Sequence, residues 1–384
     1  MPSPPVKLLV VACLLLAPAA RAEVVLTTDG RILDGAVRFD DAAESTPSPN
    51  PSITIVQRTG PTVRVELAKV LLLSSGRTAP LECGVVLTSG SIIATRSIDR
   101  IDGRTLRVTR SSAPPESVDI ALGTVADMVF RRTASATLSL PVSATTGVLL
   151  STGDFFEGEV LSLQGNRIVV SSALFGERVF QVGTEVLAAR LRQRPAGSDS
   201  RRWRIALSDG SVARSDMVRV EKGRLAFTDP VSGPASVTRE QLVGLTAPSD
   251  ALVAIDLVSP ATRLPSGLAA VLRKAPPWPD FPAAAPTPLA VTGSADVTVD
   301  LGGRFSAVFL RAGVPVGQLP GRTVRVSVLL DGARLFRSAS LAAIDDPLFI
   351  AIPATGKQTL TLRAEVEGGG AAEVVFDSAF AVKS

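Results

Sequence analysis

The same pattern of apolar and polar positions begins four times along the chain. Each time, a short run rich in Val, Leu or Ile leads to a turn that contains glycine, and a second run of alternating polar and apolar residues follows. Short apolar runs bounded by Gly and Asp are typical of β-hairpins. The pattern therefore predicts four related units built from short strands. The opening runs are VVLTTDG, VVLTSG, VLLSTGD and IALSDG, with turn glycines Gly30, Gly90, Gly153 and Gly210.

Each unit continues in the same order, with further short strands and an apolar closing segment such as EVLAARLR. About five short strands suffice for a small β-barrel, which removes exposed strand edges by closing on itself. We therefore expect β repeats at residues 23–79, 80–134, 145–195 and 201–248. The pattern leaves open whether each repeat closes alone or completes its barrel with a neighbour.

After Leu289 the strands become longer and alternate more regularly. ADVTVDLGG places Val297, Val299 and Leu301 on one face, and QTLTLRAEVEGGG alternates in the same way. Several antiparallel strands with one buried face each predict a β-sandwich, at residues 250–384. The segment at 275–288, APPWPDFPAAAPTP, is dense in proline and favours an extended path.

The first residues have the pattern of a secretory signal peptide. Lys7 precedes an apolar run from Leu8 to Ala17, and Ala20-Arg21-Ala22 offers small residues for cleavage before Glu23. The run is too short to cross a bilayer, which needs about twenty apolar residues. We expect residues 1–22 to be removed and the protein to be secreted, periplasmic or part of the cell envelope, without a transmembrane segment. The alternative is a lipoprotein, since Val10-Val11-Ala12-Cys13 loosely resembles a lipobox.

Composition excludes several kinds of chemistry. The net charge of +4 falls to +2 when Lys7 and Arg21 are removed with residues 1–22. The remaining chain has no excess of basic residues of the kind that binds nucleic acid. Cys83 is then the single cysteine, which rules out an internal disulfide. Without histidine the chain cannot use Ser-His-Asp, Cys-His or His-ligated zinc chemistry, and we expect neither a cofactor nor a metal. Among enzymes, only a paired-carboxylate hydrolase stays open.

The opening line VVLTTDGRILDGAVRFDD resembles the first motif of Sm-like barrels, with an apolar strand, an Asp-Gly turn, a glycine in the second strand and then Phe-Asp. The resemblance covers one repeat and concerns the fold. It implies small SH3/Sm-like barrels and, in an exported chain of balanced charge, no binding of RNA.

The C-terminal region resembles a second family, the carbohydrate-binding module first described next to family 98 glycoside hydrolases and abbreviated NPCBM. The similarity lies in VTVDLGGRFSAVFLRAGVP, VRVSVLLDGARLFRSASL, PLFIAIPATGKQTLTLRAEV and VVFDSAFAV. It implies the jelly-roll β-sandwich of galactose-binding-like domains and a role in binding carbohydrate. The chain departs from the family at Phe380, where a tryptophan is common, and in having no histidine.

Aromatic faces and planar polar groups are the side chains that recognise sugars. The candidates are two aromatic residues in the Pro-rich segment and four polar residues interpreted as lying at strand ends or in loops. Phe305, Phe309, Phe336, Phe349 and Phe376 lie in strand runs, where we expect core packing. The six candidates are Trp278, Phe281, Arg311, Asp345, Asp346 and Asp377.

Together these observations predict an all-β chain of tandem small SH3/Sm-like β-barrel repeats followed by a galactose-binding-like β-sandwich (jelly roll). We expect an exported, non-catalytic protein whose sandwich binds a polysaccharide, a glycoconjugate or another envelope component. The alternative is a structural or protein-interaction scaffold of the envelope that has no sugar site and binds other envelope proteins.

Overall fold

The computed structural model describes residues 23–39, 51–58, 60–75, 83–111, 115–130, 146–192, 202–230, 232–255, 257, 271–274, 289–314, 322–343, 345, 347–367 and 372–383. The regular elements of these ranges are 32 β-strands and two short 3₁₀ turns. The predicted all-β class is therefore confirmed. No helix within these ranges is long and apolar enough to span a bilayer.

The first repeat is an antiparallel meander that returns on itself. Each strand pairs with the next, except that β5 follows a 3₁₀ turn at Leu67–Lys69 and pairs with β1. β1 and β5 are buried along their whole length, as their continuous apolar runs indicate. The strands are β1 (Glu23–Thr27), β2 (Ile32–Phe39), β3 (Ser52–Gln57), β4 (Thr62–Glu66) and β5 (Val70–Ser75).

The same order of strands recurs in the other three repeats, and in repeats 3 and 4 the long second strand is divided in two. The four hairpin glycines named above all have positive φ, between +76° and +94°, as a glycine turn requires. Repeat 2 has β6 (Gly84–Leu87), β7 (Ile92–Asp102), β8 (Thr105–Arg110), β9 (Ser117–Ala121) and β10 (Val125–Val129). Repeat 3 has β11 (Gly147–Leu150), β12 (Phe155–Glu157), β13 (Glu159–Gln164), β14 (Arg167–Ser172), β15 (Gly176–Gln181) and β16 (Val186–Arg190). Repeat 4 has β17 (Trp203–Leu207), β18 (Val212–Ser215), β19 (Val218–Glu221), β20 (Arg224–Asp229), β21 (Gly233–Val237) and β22 (Leu242–Thr246).

The repeats associate in nested pairs, repeat 1 with repeat 4 and repeat 2 with repeat 3. In each pair the closing strands meet edge to edge, β5 with β22 and β10 with β16. Each pair also shares one hydrophobic core, to which both members contribute. Glu23 of β1 forms a largely buried ion pair with Arg239 of repeat 4. A repeat therefore buries its apolar surface together with a partner, which the sequence pattern left undecided.

The C-terminal strands form a sandwich of a six-stranded and a four-stranded sheet around one core. The six-stranded sheet has the order β24-β25-β32-β27-β30, with β23 also on β32, and the four-stranded sheet has the order β26-β31-β28-β29. The predicted β-sandwich is confirmed, whereas the SH3/Sm class of the repeats and the proposed domain boundaries stay predictions. The strands are β23 (Leu252–Ala254), β24 (Val271–Lys274), β25 (Leu289–Thr292), β26 (Ala295–Asp300), β27 (Phe305–Gly313), β28 (Thr323–Leu330), β29 (Ala333–Arg337), β30 (Leu348–Pro353), β31 (Thr359–Glu367) and β32 (Glu373–Lys383).

Repeat 1 packs against the outer face of the six-stranded sheet. Its strands β1 and β5 contribute Leu26 and Leu72 to a buried cluster that includes Phe309 of β27 and Phe380 of β32. The Phe309 ring stacks on Phe349 with 6.2 Å between centroids. Burial of this apolar surface joins the first repeat to the sandwich, and it removes that sheet face from solvent.

Candidate functional site

The outer face of the four-stranded sheet is the sheet face of the sandwich that repeat 1 leaves open. In β28, Val324, Val326 and Val328 are buried in the core, while Arg325 projects to the other side. β31 alternates in the same way, so its charged residues lie on this outer face. A ligand that binds the described surface of the sandwich therefore meets this face or the loops at either end.

Three ion pairs cross the open face. Each joins an arginine to a carboxylate on a neighbouring or next-but-one strand. The paired side chains are about a third to two-fifths exposed. Planar guanidinium and carboxylate groups consequently lie side by side across the sheet. The pairs are Arg363–Asp296 at 2.7 Å, Arg337–Glu365 at 3.1 Å and Arg325–Glu367 at 2.6 Å.

Glu367, at the end of β31, has the richest set of partners among these groups. Its Oε1 lies 2.6 Å from Arg325 Nη2, and its Oε2 accepts hydrogen bonds from the Ser340 hydroxyl and, at 3.5 Å, from Thr323 Oγ1. Arg325 Nη2 also lies 3.4 Å from Ser340 Oγ. We call Thr323, Arg325, Ser340 and Glu367 the Glu367 cluster.

The electrostatics of the Glu367 cluster favour an ionised carboxylate. The Ser340 hydrogen bond, and then the Arg325 charge, hold the pKa of Glu367 below its ordinary value. An ionised carboxylate accepts hydrogen bonds, and a guanidinium donates them in a fixed plane. The cluster is therefore suited to bind a polyhydroxylated ligand. A general acid requires a raised pKa instead, so Glu367 is poorly suited to that role.

Arg311 does not lie at a strand end, as the sequence interpretation had it. It is inside β27 and only 1% exposed, and it lies in the contact between the sandwich and the repeats, near Leu72 and Arg204. Its side chain is therefore enclosed between the sandwich and repeats 1 and 4.

Asp345 lies in the connection between β29 and β30, which also carries Ser340 of the Glu367 cluster. Its carboxylate accepts a hydrogen bond from the backbone N–H of Ala342 at 2.6 Å, and its own N–H donates to the Ala342 carbonyl. These bonds close a tight turn. The visible role of Asp345 is therefore to shape the loop that presents Ser340.

The remaining candidates fall where their side chains are not described. Trp278, Phe281 and Asp346 lie outside the described residues, and Asp377 is described only as a backbone position in β32. Their roles as ligand contacts stay predictions. The members of the Glu367 cluster were missed, although Arg325 and Glu367 stand at polar positions of alternating runs.

The phenylalanines of the sandwich serve packing in the described structure. Phe376 belongs to the sandwich core, and Phe305 and Phe336 pack against it partly buried. Phe309 and Phe349 lie in the contact with repeat 1. Expectations of core packing for these five residues agree with their burial. Among the residues that the structure describes, no group of three or more His, Cys, Asp or Glu side chains could hold a metal ion.

Comparison with known families identifies this part of the chain. Residues 288–379 match the model of the NPCBM/NEW2 domain. The C-terminal sandwich is an NPCBM/NEW2 domain. The Glu367 cluster lies entirely within the matched residues, and the family belongs to the carbohydrate-binding-module type. The resemblance found in the sequence is therefore confirmed.

Solved structures give a weaker likeness. CBM51 from Clostridium perfringens GH95, in complex with methyl-galactose, is 14% identical, with 34% of this chain and 99% of that chain covered and a TM-score of 0.28. CBM51-2 with the INT domains of Clostridium perfringens ZmpB, in complex with GlcNAc, is 11% identical, with 56% and 44% covered and a TM-score of 0.29. TM-scores this low do not establish a common fold for the chain. No curated protein matches the sequence.

Proposed function

We propose that this protein is exported, is not an enzyme, and binds a glycan through its NPCBM/NEW2 domain at the Glu367 cluster. The observation that carries the proposal is the position of the cluster. It lies within the residues that match the family, on the sheet face that repeat 1 leaves open.

Each member of the cluster has a role in this proposal. Arg325 donates hydrogen bonds to one sugar hydroxyl, and Glu367 accepts a hydrogen bond from the next. Ser340 and Thr323 hold the Glu367 carboxylate in place, since both donate to its Oε2. Because the pKa of Glu367 is lowered by these neighbours, the carboxylate is ready to accept at neutral pH.

The test uses the full chain and a panel of soluble and insoluble polysaccharides, with pull-down followed by calorimetry. Glu367→Ala and Arg325→Ala should each weaken binding roughly tenfold or more, because each removes a hydrogen bond to a charged group. Asp119→Asn is the matched control, since Arg107–Asp119 is an exposed ion pair at 2.7 Å on repeat 2. It should leave the affinity unchanged.

The outcomes separate the alternatives. If the folded chain binds no glycan of the panel, the proposal fails. If binding survives Glu367→Ala but is lost in Trp278→Ala, the domain binds glycan through the Pro-rich segment and the Glu367 cluster is the wrong site. Hydrolysis of a polysaccharide that a single Asp or Glu substitution abolishes would contradict the non-catalytic assignment.

Export is supported by the sequence of residues 1–22, which lie outside the described structure. N-terminal sequencing of the protein recovered from the medium, periplasm or envelope should begin at Glu23. A chain that keeps residues 1–22, or one that is lipid-modified at Cys13, would contradict this part of the proposal.

A second candidate function is an interaction scaffold of the envelope without a sugar site. The observation in its favour is the scarcity of exposed aromatic rings, since aromatic residues make up 4% of the chain and those described in the sandwich are used in packing. A folded chain that binds no glycan would favour this alternative.

A further inference from the structure

A small cavity lies where repeats 1 and 4 meet, and Trp203 forms part of its wall. The cavity volume is about 130 Å³. Repeat 1 contributes the end of β4 and the 3₁₀ turn that follows it, and repeat 4 contributes the first residues of β17 and β19. None of the lining residues belongs to the NPCBM/NEW2 domain. They are Pro51, Glu66, Leu67, Ala68, Trp203 and Val218.

The apolar part of the cavity is held firmly by the fold. Leu67 and Val218 are buried and belong to the core that repeats 1 and 4 share. The Leu67 N–H donates a hydrogen bond to the Pro51 carbonyl at 2.7 Å, which fixes the two segments of repeat 1 against each other. Trp203 packs against the same core and is only partly buried. A ring that packing already holds in place loses little conformational freedom when a ligand binds.

A charged pair lies at the polar side of the cavity. The Glu66 carboxylate is 3.8 Å from Lys69 Nζ, and both side chains are about half exposed. The cavity therefore offers a hydrogen-bond acceptor with a donor beside it, and the pair has no net charge. A cationic ligand would compete with Lys69 for the carboxylate, and an anion would be repelled by Glu66. A neutral ligand with hydroxyl groups can use both.

The fold of a repeat does not require an aromatic residue at the position of Trp203. Trp203 lies seven residues before the turn glycine Gly210. The residues at the same distance from the turn glycines of repeats 1, 2 and 3 are Glu23, Cys83 and Thr146. Each of them begins or precedes the first strand of its repeat, as Trp203 does. The indole is therefore specific to repeat 4.

The nested pair of repeats 2 and 3 gives a matched comparison. The residue before the 3₁₀ turn is Glu66 in repeat 1 and Ala121 in repeat 2. In the second pair, the positions of Glu66 and Trp203 are thus occupied by Ala121 and Thr146. That pair still shares one hydrophobic core. Assembly of two repeats consequently needs neither the carboxylate nor the indole, and binding of a ligand accounts for both.

We propose that this cavity binds one neutral sugar residue of a glycan, at a site separate from the Glu367 cluster. The apolar face of the sugar ring stacks on the Trp203 indole. Its hydroxyl groups donate to the Glu66 carboxylate and accept from the Lys69 ammonium. The cavity is smaller than the roughly 300–1,000 Å³ of pockets that enclose a whole ligand, so the rest of the glycan stays in solvent. The proposal goes beyond the function proposed above, because it assigns glycan binding to the repeats.

The test uses the fluorescence of Trp203 in the full mature chain. The sequence has two tryptophans, so Trp278→Phe leaves Trp203 as the single one. Lactose, cellobiose, xylobiose and mannotriose serve as neutral ligands, because short sugars do not bridge two distant sites. At least one should change the emission saturably and protect Trp203 from quenching by acrylamide.

Variants of the charged pair locate the response. Glu66→Gln should weaken the affinity roughly tenfold, since it removes a hydrogen bond to a charged group. Glu177→Gln is the matched control, because it changes an exposed carboxylate of repeat 3 in the same way. It should leave the affinity unchanged.

The outcomes separate this site from the Glu367 cluster. The proposal is overturned if no sugar gives a saturable response, if Glu66→Gln responds with the wild-type affinity, or if only choline or a proline-rich peptide gives a response. Glu367→Ala should not alter the response of Trp203. A Trp203 response in a chain whose calorimetric binding is insensitive to Glu367→Ala would support this site and contradict the assignment of the Glu367 cluster.

Discussion

Glu367 shows how local hydrogen bonding sets the chemistry of a single side chain. The Ser340 hydroxyl, the Arg325 guanidinium and Thr323 all favour its ionised form, so its pKa in the folded chain lies below the ordinary value of 4.5. A carboxylate with a depressed pKa stabilises the fold above its unfolded pKa, and this stabilisation is lost as pH falls toward the folded value.

Glu367→Gln should therefore lower the melting temperature at neutral pH, and the difference from the wild type should shrink as pH falls from about 5 to about 3. Scanning calorimetry at several pH values measures this difference in melting temperature. Ser340→Ala removes the hydrogen bond that contributes most to the lowered pKa, so in that background the pH-dependent difference should be smaller. A difference that stays constant across this pH range would show that Glu367 stabilises the fold by packing alone.

Sequence patterns predicted none of the four members of the Glu367 cluster as site residues, for definite reasons. Arg325 and Glu367 stand at polar positions of alternating runs, but their meeting depends on the register between β28 and β31, which the pattern does not contain. Arg311 was misplaced because the run FSAVFLRAG is apolar on both faces. That run predicts a strand buried on both sides, and its arginine is buried with it.

At the scale of elements, the close approach of β2 and β3 depends on a glycine. A Cβ atom on Gly35 would lie 2.2 Å from the carbonyl oxygen of Val56, far inside any real contact. The equivalent Gly158 of repeat 3 faces Ser171 O at 2.5 Å. The glycine seen in the second strand of the sequence motif is thus required by backbone proximity.

Gly35→Ala should destabilise the chain by about 1–3 kcal/mol, because the strands must separate to admit the methyl group. Gly123→Ala is the control, since nothing lies within 4 Å of its Cβ position and its φ is not positive. That change should be neutral or slightly stabilising, by up to about 1 kcal/mol. Denaturant unfolding compares the two, and equal stabilities would mean that β2 and β3 shift apart without cost.

The hairpins were predictable from sequence, but their assembly was not. Gly30 and Gly210 have the positive φ that a glycine turn implies, because turn chemistry is local. The pairing of repeat 1 with repeat 4 joins distant segments through β5 and β22. The available signal was that VLLLSS is apolar on both faces of the predicted strand. This indicates a strand covered on both sides, but it does not identify the covering segment.

At the scale of the whole molecule, repeat 1 occupies a central position. It shares a core with repeat 4 on one side and covers the six-stranded sheet of the NPCBM/NEW2 domain on the other. The domain therefore displays only part of its surface to a ligand.

The docking of repeat 1 predicts that the sandwich alone is poorly soluble. Segment 250–384 without the repeats would expose Phe309, Phe349 and Phe380, which are buried or partly buried in the contact with repeat 1. We expect the isolated segment to bind the dye ANS and to self-associate in size-exclusion chromatography, whereas the full mature chain should not bind the dye.

Replacing Phe309 and Phe380 together with serine should reduce dye binding by the isolated segment, since it removes two of the rings that become exposed. Leu335→Ser is the matched control, because Leu335 is already 49% exposed in the full chain. Its exposure does not change when the repeats are removed, so this substitution should not reduce dye binding by the isolated segment. A segment 250–384 that is monomeric, does not bind the dye and binds glycan as the full chain does would contradict the prediction. The sandwich would then be folded and soluble without repeat 1.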